Sequence, residues 1–290
     1  MKKLLALLFA LILGLSLAAC GGTEEKPVEG EEAGTTTEGE GTEASTEGIT
    51  IKVAATPAPH AEILEVAKEI LAEDGITLEI VVFTDYVQPN DATESGNVDA
   101  NYFQHITYLE KENAERGMSL VSVAPLHYEP FGLYPGKTAT IADLPDGAKI
   151  AVPSDDTNCA RALLLLEAEG LFTLEEGIGM AATKYDIAEN PKNIEIVDME
   201  AASLTGALAS VEMAVINGNY AIDAGLVVAE DAVAVEASDS DAAELYANVL
   251  VVKEGSEDSA GILALIEALQ SDRVREYIET TYEGAVVPLF

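Results

Sequence analysis

The stretch from Ile49 to Val82 constrains the fold more than any other. Ile49-Thr-Ile-Lys-Val53 alternates apolar and polar residues, the period of a strand. Ala54-Ala-Thr-Pro-Ala-Pro59 reads as a turn. From Ala61 to Glu73, residues Ile63, Leu64, Ala67, Ile70 and Leu71 recur at helical spacing until Asp74-Gly75 ends the run. Ile76, Leu78, Ile80 and Val82 then alternate again. A strand, a helix and a second strand in close succession form a crossover unit. Such units join parallel strands, so the pattern points to an open α/β fold.

The pattern recurs. Ala148 to Val152 reads as a strand, Asn158 to Glu169 as a Leu-rich helix stopped by Gly170, and Ile194 to Val197 as a strand. Glu200 to Ser210 follows as a helix and Met213 to Ile216 as a strand. Phe131-Gly-Leu-Tyr134, with Pro135 and Gly136, runs between the two halves. Near the end come an apolar run, Asn248 to Val252, and helices around Ala260 to Gln270 and Arg273 to Tyr282. The expected organisation is two α/β lobes joined by two extended crossings. Lobe 1 takes residues 49–134, lobe 2 residues 135–247, and residues 248–290 return to lobe 1. Each sheet is expected to be open, mostly parallel and flanked by helices.

Ahead of this body stands a different kind of segment. Lys2 and Lys3 precede an uninterrupted run of apolar and small residues from Leu4 to Ala19, which leads into Cys20-Gly-Gly. The run is short for a membrane span, which needs roughly 20 residues to cross about 30 Å of hydrocarbon. It suits an export signal, residues 1–19, cut before Cys20. The thiol of Cys20 is the nucleophile there that can take a lipid, which would hold the chain at the outer face of a cell membrane. Gly21 to Gly48 is almost wholly Gly, Glu and Thr, with nine glutamates. It cannot bury a core, so residues 20–48 are expected to form a lipidated, disordered acidic tether.

The 290-residue chain has a formal net charge of -37. So strong an acidic balance repels phosphates and argues against nucleic-acid binding. There are two cysteines. With Cys20 assigned to lipid, Cys159 stands alone, and the fold cannot depend on an intrachain disulfide.

In open α/β sheets ligands bind beyond the carboxyl ends of the strands. Asp155-Asp-Thr-Asn-Cys-Ala-Arg161 follows one strand and opens a helix. A helix start offers free N–H groups, and Arg161 adds a cationic fork that matches a carboxylate, against the plainer reading of a surface Arg. Asn217-Gly-Asn-Tyr220 follows another strand. Its amides could bond a carboxylate or an ammonium, although Asn-Gly is first of all a turn signal. Asn101-Tyr-Phe-Gln-His-Ile-Thr-Tyr108 concentrates three aromatics and a histidine. They could wall an apolar slot, or simply form a core segment with a satisfied histidine.

Catalysis finds little support. His60, His105 and His127 show no metal-ligand spacing with one another or with Cys159. No nucleophile elbow is present. Gly177-Ile-Gly-Met-Ala-Ala182 matches a relaxed dinucleotide fingerprint, but lacks its preceding strand and its acidic partner. Cys159 is either a reactive thiol at a helix start or a small buried hydrophobe. No enzyme, cofactor or metal is expected.

Several stretches together resemble the methionine-binding lipoproteins of bacterial ABC importers, the NlpA family. They are Ala55-Thr-Pro-Ala-Pro-His-Ala-Glu-Ile-Leu64, Tyr86-Val-Gln-Pro-Asn90, Gly96-Asn-Val-Asp-Ala-Asn-Tyr-Phe-Gln-His105 and Asp155 to Leu166. Glu200-Ala-Ala-Ser-Leu204, Ala214-Val-Ile-Asn-Gly-Asn-Tyr-Ala221 and Ala224-Gly-Leu226 complete the set. The resemblance spans Ile49 to Phe290. It implies a two-lobed periplasmic-binding-protein fold of type II, a monomer that closes on one amino acid and passes it to a permease with ATPase subunits. Carried over by motif, Arg161 would clamp the ligand carboxylate, and Asn158 and Asn217 would bond its carboxylate and amino ends. Tyr86, Tyr102, Phe103, His105 and Tyr108 would line the side-chain slot. Cys159-Ala160, Pro135, Thr93 and Tyr102 depart from the family's usual residues. L-methionine or a close analogue is the expected ligand. Another apolar amino acid, D-methionine or a methionine-containing dipeptide is the alternative, as is a surface adhesin that has lost its ligand.

Overall fold

The computed structural model describes residues 48–237 and 242–290. The expected signal segment, Cys20 and all of the tether but Gly48 lie outside them. No helix among the described residues is long and apolar enough to cross a membrane.

The chain builds two large sheets. The first holds β1 (Thr50–Ala55), β2 (Thr77–Val82), β3 (Ala100–His105), β4 (Leu120–Tyr128), β12 (Asn248–Lys253) and β13 (Val287–Pro288), in the order β13-β4-β12-β3-β1-β2. The second holds β5 (Gly132–Pro135), β6 (Lys149–Pro153), β9 (Glu195–Met199), β10 (Met213–Ile216) and β11 (Ala234–Val235), in the order β11-β5-β10-β6-β9. A small ribbon of β7 (Thr173–Leu174) and β8 (Ile187–Glu189) is separate.

Crossover strands are parallel, as the sequence predicts: β1 with β2 and β3, and β6 with β9 and β10. The first strand that follows each crossing runs the other way. β12 is antiparallel to β3 and β4, and β5 is antiparallel to β10 and β11. The sheets are therefore mixed, where crossovers alone imply mostly parallel ones. The chain is also in the second sheet by Gly132, because β5 pairs with β10 as soon as it clears Glu129-Pro-Phe131.

Helices cover the sheets where their apolar stripes demand it. Around the first sheet lie α1 (Glu62–Glu73), α9 (Ala260–Leu269) and α10 (Asp272–Tyr282). Their Leu64, Leu71, Leu265 and Ile278 pack with Val53, Leu78 and Leu250 of the strands. Each such burial stabilises the lobe by about 1.5–3 kcal/mol. Ser259 and Ser271 cap α9 and α10, accepting from Ile262 and Val274 N–H. Over the second sheet, α4 (Asp156–Ala168) sets Leu163 and Leu166 against Ile150, Val152 and Val215. Further helices complete the two lobes: α2 (Gln88–Glu94), α3 (Ile106–Arg116), α5 (Leu204–Ala207), α6 (Gly218–Asp223), α7 (Val228–Asp231) and α8 (Ala242–Leu245). The helix expected over Glu200–Ser210 is a 3-10 turn, Ala201–Ser203, followed by the single turn of α5. Gly206 inside that turn weakens continuation by about 1 kcal/mol relative to Ala.

Candidate functional site

Loops at the carboxyl ends of β3, β6 and β10 meet beside the crossings and line a small cavity of about 20 Å³. Tyr86, Phe103, His105 and Tyr108 reach it from the first lobe, and Asn158, Arg161 and Asn217 from the second. Glu129 and Phe131 of the first crossing line it too, as does Asn248 at the start of β12.

The start of α4 explains how its side chains are held. Asp155 is the N-cap, and its Oδ1 accepts from the Asn158 backbone N–H at 3.0 Å and from Asn158 Nδ2 at 2.9 Å. That pins the Asn158 amide. Its Oδ1 then accepts from Asn217 Nδ2 at 3.1 Å and lies 3.1 Å from His105 Nε2. Burial, with the Arg161 charge beside it, lowers His105 to about 3, so the ring is neutral.

Arg161 lies one turn further along α4 and is only 3% exposed. Its guanidinium carbon sits 3.9 Å from the ring centroids of both Phe131 and Tyr246. Nε donates to Glu236 Oε1 at 2.9 Å, and Nη2 donates to Glu236 Oε2 at 2.5 Å and to the Glu129 backbone oxygen at 2.8 Å. Nη1 makes no hydrogen bond among the described residues.

Asn217 caps the start of α6. Its Oδ1 is buried and has no hydrogen-bond partner among the described residues. A buried acceptor left open is costly, which marks this atom as a place for an incoming donor. The next residue must be small: a Cβ on Gly218 would meet Glu129 Cβ at 2.7 Å and Oε2 at 2.8 Å. Through that gap Glu129 reaches the cavity, where the Asn219 backbone N–H donates to it. Burial raises the Glu129 carboxyl above its ordinary value, and the neighbouring His60 and Arg161 oppose that rise.

Behind Glu129 lie two buried histidines. His127 Nε2 is 2.7 Å from Glu129 Oε1, and His60 Nε2 is 3.5 Å away. Tyr102 OH bonds His127 Nδ1, while His60 bonds Thr56 Oγ1 at 2.8 Å and Asn248 Oδ1 at 3.0 Å. Burial lowers His60 to about 4 and His127 to about 3. The ligand atoms of this trio lie within 4.8 Å of one another, close enough to surround a metal ion. In this structure the hydrogen bonds just described already engage all four ring nitrogens.

The rest of the wall is aromatic. The Tyr86 ring centroid is 5.9 Å from those of Phe103 and Tyr108, and 5.1 Å from that of Tyr220. Their hydroxyls are spent across the lobes or on backbone: Tyr86 OH donates to Asn219 Oδ1 at 2.5 Å and Tyr108 OH to the Tyr86 backbone oxygen at 3.1 Å. What faces the cavity is ring surface, suited to an aliphatic or thioether chain.

Seven of the eight expected ligand-binding residues line the cavity; Tyr102 does not. In the β3–β12 ladder Val249 pairs with Gln104 and Leu250 with Tyr102, so Phe103 is the extra residue of a bulge. Tyr102 lies fully buried in the core of the first lobe, against His60 and His127. Glu129, Phe131, Glu236 and Tyr246 join the site without being candidates of the sequence, whereas Asn219 belongs to the amide pair that the sequence offers. The signal for Glu129 is a glutamate set between the aromatic residues Tyr128 and Phe131; Glu236 and Tyr246 carry none, since only the fold brings them to Arg161. Cys159 is half-buried against the second core, and burial with the Asp155 carboxylate pushes it up to about 11. At neutral pH it is a thiol and a poor nucleophile.

A polar cavity closed between two α/β lobes, with an open cationic edge and an open acceptor, is the architecture of a solute-binding protein. Comparison with known proteins gives the family. The model of the NlpA lipoprotein family matches residues 51–290, and the chain belongs to that family. The D-methionine-binding lipoprotein MetQ of Salmonella typhimurium is 38% identical over 288 residues, covering 98% of this chain and 97% of that protein. The crystal structure of a lipoprotein from Ruminococcus gnavus is 55% identical with a TM-score of 0.82, covering 83% of this chain and 99% of that one. A nutrient-binding protein from Burkholderia cenocepacia, solved bound to methionine, is 40% identical with a TM-score of 0.79, covering 83% and 100%.

Proposed function

We propose that this chain captures L-methionine, or a close analogue, between its lobes and delivers it to an ABC importer while lipid on Cys20 holds it at the membrane. The observation that carries this reading is the cavity's pair of open polar ends beside an aromatic slot. The Arg161 guanidinium suits a carboxylate, and the unpartnered Asn217 Oδ1, with the Glu129 carboxylate, suits an ammonium. Asn158 bridges the two ends through its bond to Asn217. The rings of Tyr86, Phe103 and Tyr108 suit a thioether, whose sulfur makes favourable contacts with aromatic faces. The methionine bound in the Burkholderia cenocepacia structure and the D-methionine in the name of the Salmonella relative support methionine as the ligand class.

Calorimetry on protein unfolded and refolded to strip carried-over ligand tests the reading. Binding of L-methionine is expected at low-micromolar Kd or tighter, about -8 kcal/mol or better. Absence of heat with L-methionine, D-methionine and methionine dipeptides alike would refute it. Mass spectrometry of the mature protein tests the anchor, since an intact Met1 or unmodified Cys20 is incompatible with it.

A further inference from the structure

The carboxylate of Glu236 sits behind Arg161 and outside the cavity lining, and it collects four donors. Arg161 supplies Nε and Nη2, Tyr128 its hydroxyl at 2.5 Å, and Phe131 its backbone N–H at 3.4 Å. Tyr128 and Phe131 flank the first crossing, and Tyr246, stacked on the other face of the guanidinium, precedes β12 on the return. Arg161 is thus gripped on both faces and along one edge, which leaves Nη1 as the unbonded nitrogen among the described residues.

We propose that Glu236 is a positioning residue for ligand binding: it fixes the Arg161 guanidinium so that the remaining edge meets the ligand carboxylate. This rests on the reading of the ligand as an α-amino acid. Two physical effects compete. A bound carboxylate dilutes the positive charge that Arg161 offers, which by itself weakens attraction for a ligand anion. Against this, a buried guanidinium stripped of Glu236 has no acceptor on Nε and keeps only the Glu129 backbone oxygen on Nη2, so it turns to the next carboxylate available. That carboxylate is Glu129, whose backbone oxygen Arg161 already touches. An Arg161–Glu129 pair would remove both of the cavity's polar ends together. The geometry favours the second effect, because Glu236 grips the guanidinium through two nitrogens and is itself held by two further donors.

The test compares L-methionine with L-methioninol, which keeps the ammonium and thioether and lacks the carboxylate. Titration calorimetry is run on the stripped wild type and on Glu236→Gln. The preference of the wild type for methionine is expected to fall about tenfold or more in the variant, the scale of losing a charge-assisted hydrogen bond. An unchanged preference, equal loss for both ligands, or tighter methionine binding each overturns the proposal; equal loss is what a purely structural role would give. If Glu236→Gln does not fold, Tyr128→Phe removes one of the donors that hold the carboxylate. Its preference should fall by about threefold, a smaller step than losing the ion pair itself, and an unchanged ratio overturns the proposal. A wild type that binds neither compound sinks the methionine reading and this inference together. A discriminating wild type with an equally discriminating variant sinks this inference alone.

Discussion

Arg161 is the side chain whose loss should be felt most. It is a buried charge stacked between two rings, and a ligand carboxylate would complete its hydrogen bonds. Arg161→Ala is expected to weaken methionine binding by at least about 2 kcal/mol in calorimetry, because a charged partner is removed from a desolvated carboxylate. The three histidines make a second prediction at this scale. In each, burial favours the neutral ring and lowers the ordinary value of 6.5 to about 4 for His60 and about 3 for His105 and His127. Their NMR ring-proton shifts should stay flat between about pH 8 and pH 5 in the folded protein, and a midpoint near 6.5 in any of them would contradict its burial. The sign for stability follows. Above pH 6.5 the unfolded rings are neutral too, and nothing is lost. As pH falls from there toward 4 and 3, the unfolded chain takes up protons that the folded chain refuses, so the histidine contribution to stability declines.

Single elements place the site through their ends. The start of α4 depends on Asp155, which caps the helix and holds the Asn158 amide. Asp155→Ala should cost about 1 kcal/mol in urea unfolding, and should also weaken ligand binding because Asn158 is released. A variant that is less stable yet binds normally would separate the cap from the site. The end of β5 depends on Gly136. A Cβ there would lie 2.4 Å from the Val211 backbone oxygen and 2.5 Å from that of Leu208. Backbone atoms cannot swing away as a side-chain tip can, so Gly136→Ala should destabilise by about 1–3 kcal/mol, read from the urea midpoint.

At the scale of the whole molecule, the two lobes meet through polar bonds at and beside the cavity. His105 faces Asn158, Tyr86 bonds Asn219, and Tyr220 donates to the Thr84 backbone oxygen at 3.1 Å. A ligand that binds only this closed arrangement stabilises it by mass action. L-methionine at about 100 times its Kd should add about 2.7 kcal/mol to unfolding stability, visible as a rise in Tm that ethanolamine, which has no carboxylate or thioether, does not produce. The net charge of -37 sets the background for that measurement. Repulsion among surface carboxylates opposes compactness and is screened by salt, so Tm without ligand should rise as sodium chloride goes from about 0.01 M to 0.15 M.

The sequence by itself determined the two-lobed α/β class, because strand and helix periods are local and each repeats within a few residues. It also determined Arg161 and Asn217 as candidates, since each follows a strand at the end where an open sheet presents its loops, while Asn158 entered through the family resemblance. The tertiary structure alone decided that Tyr102 turns into the core, because a bulge at Phe103 shifts the ladder and bulges leave no mark in the period. The mixed direction of the sheets was decided there as well, by which strands carry the chain across between lobes. So was the grip on Arg161, from residues 75 positions away in Glu236 and further still in Tyr246. Pairings at that range are set by how the lobes fold back on each other, and no periodicity in the chain records them.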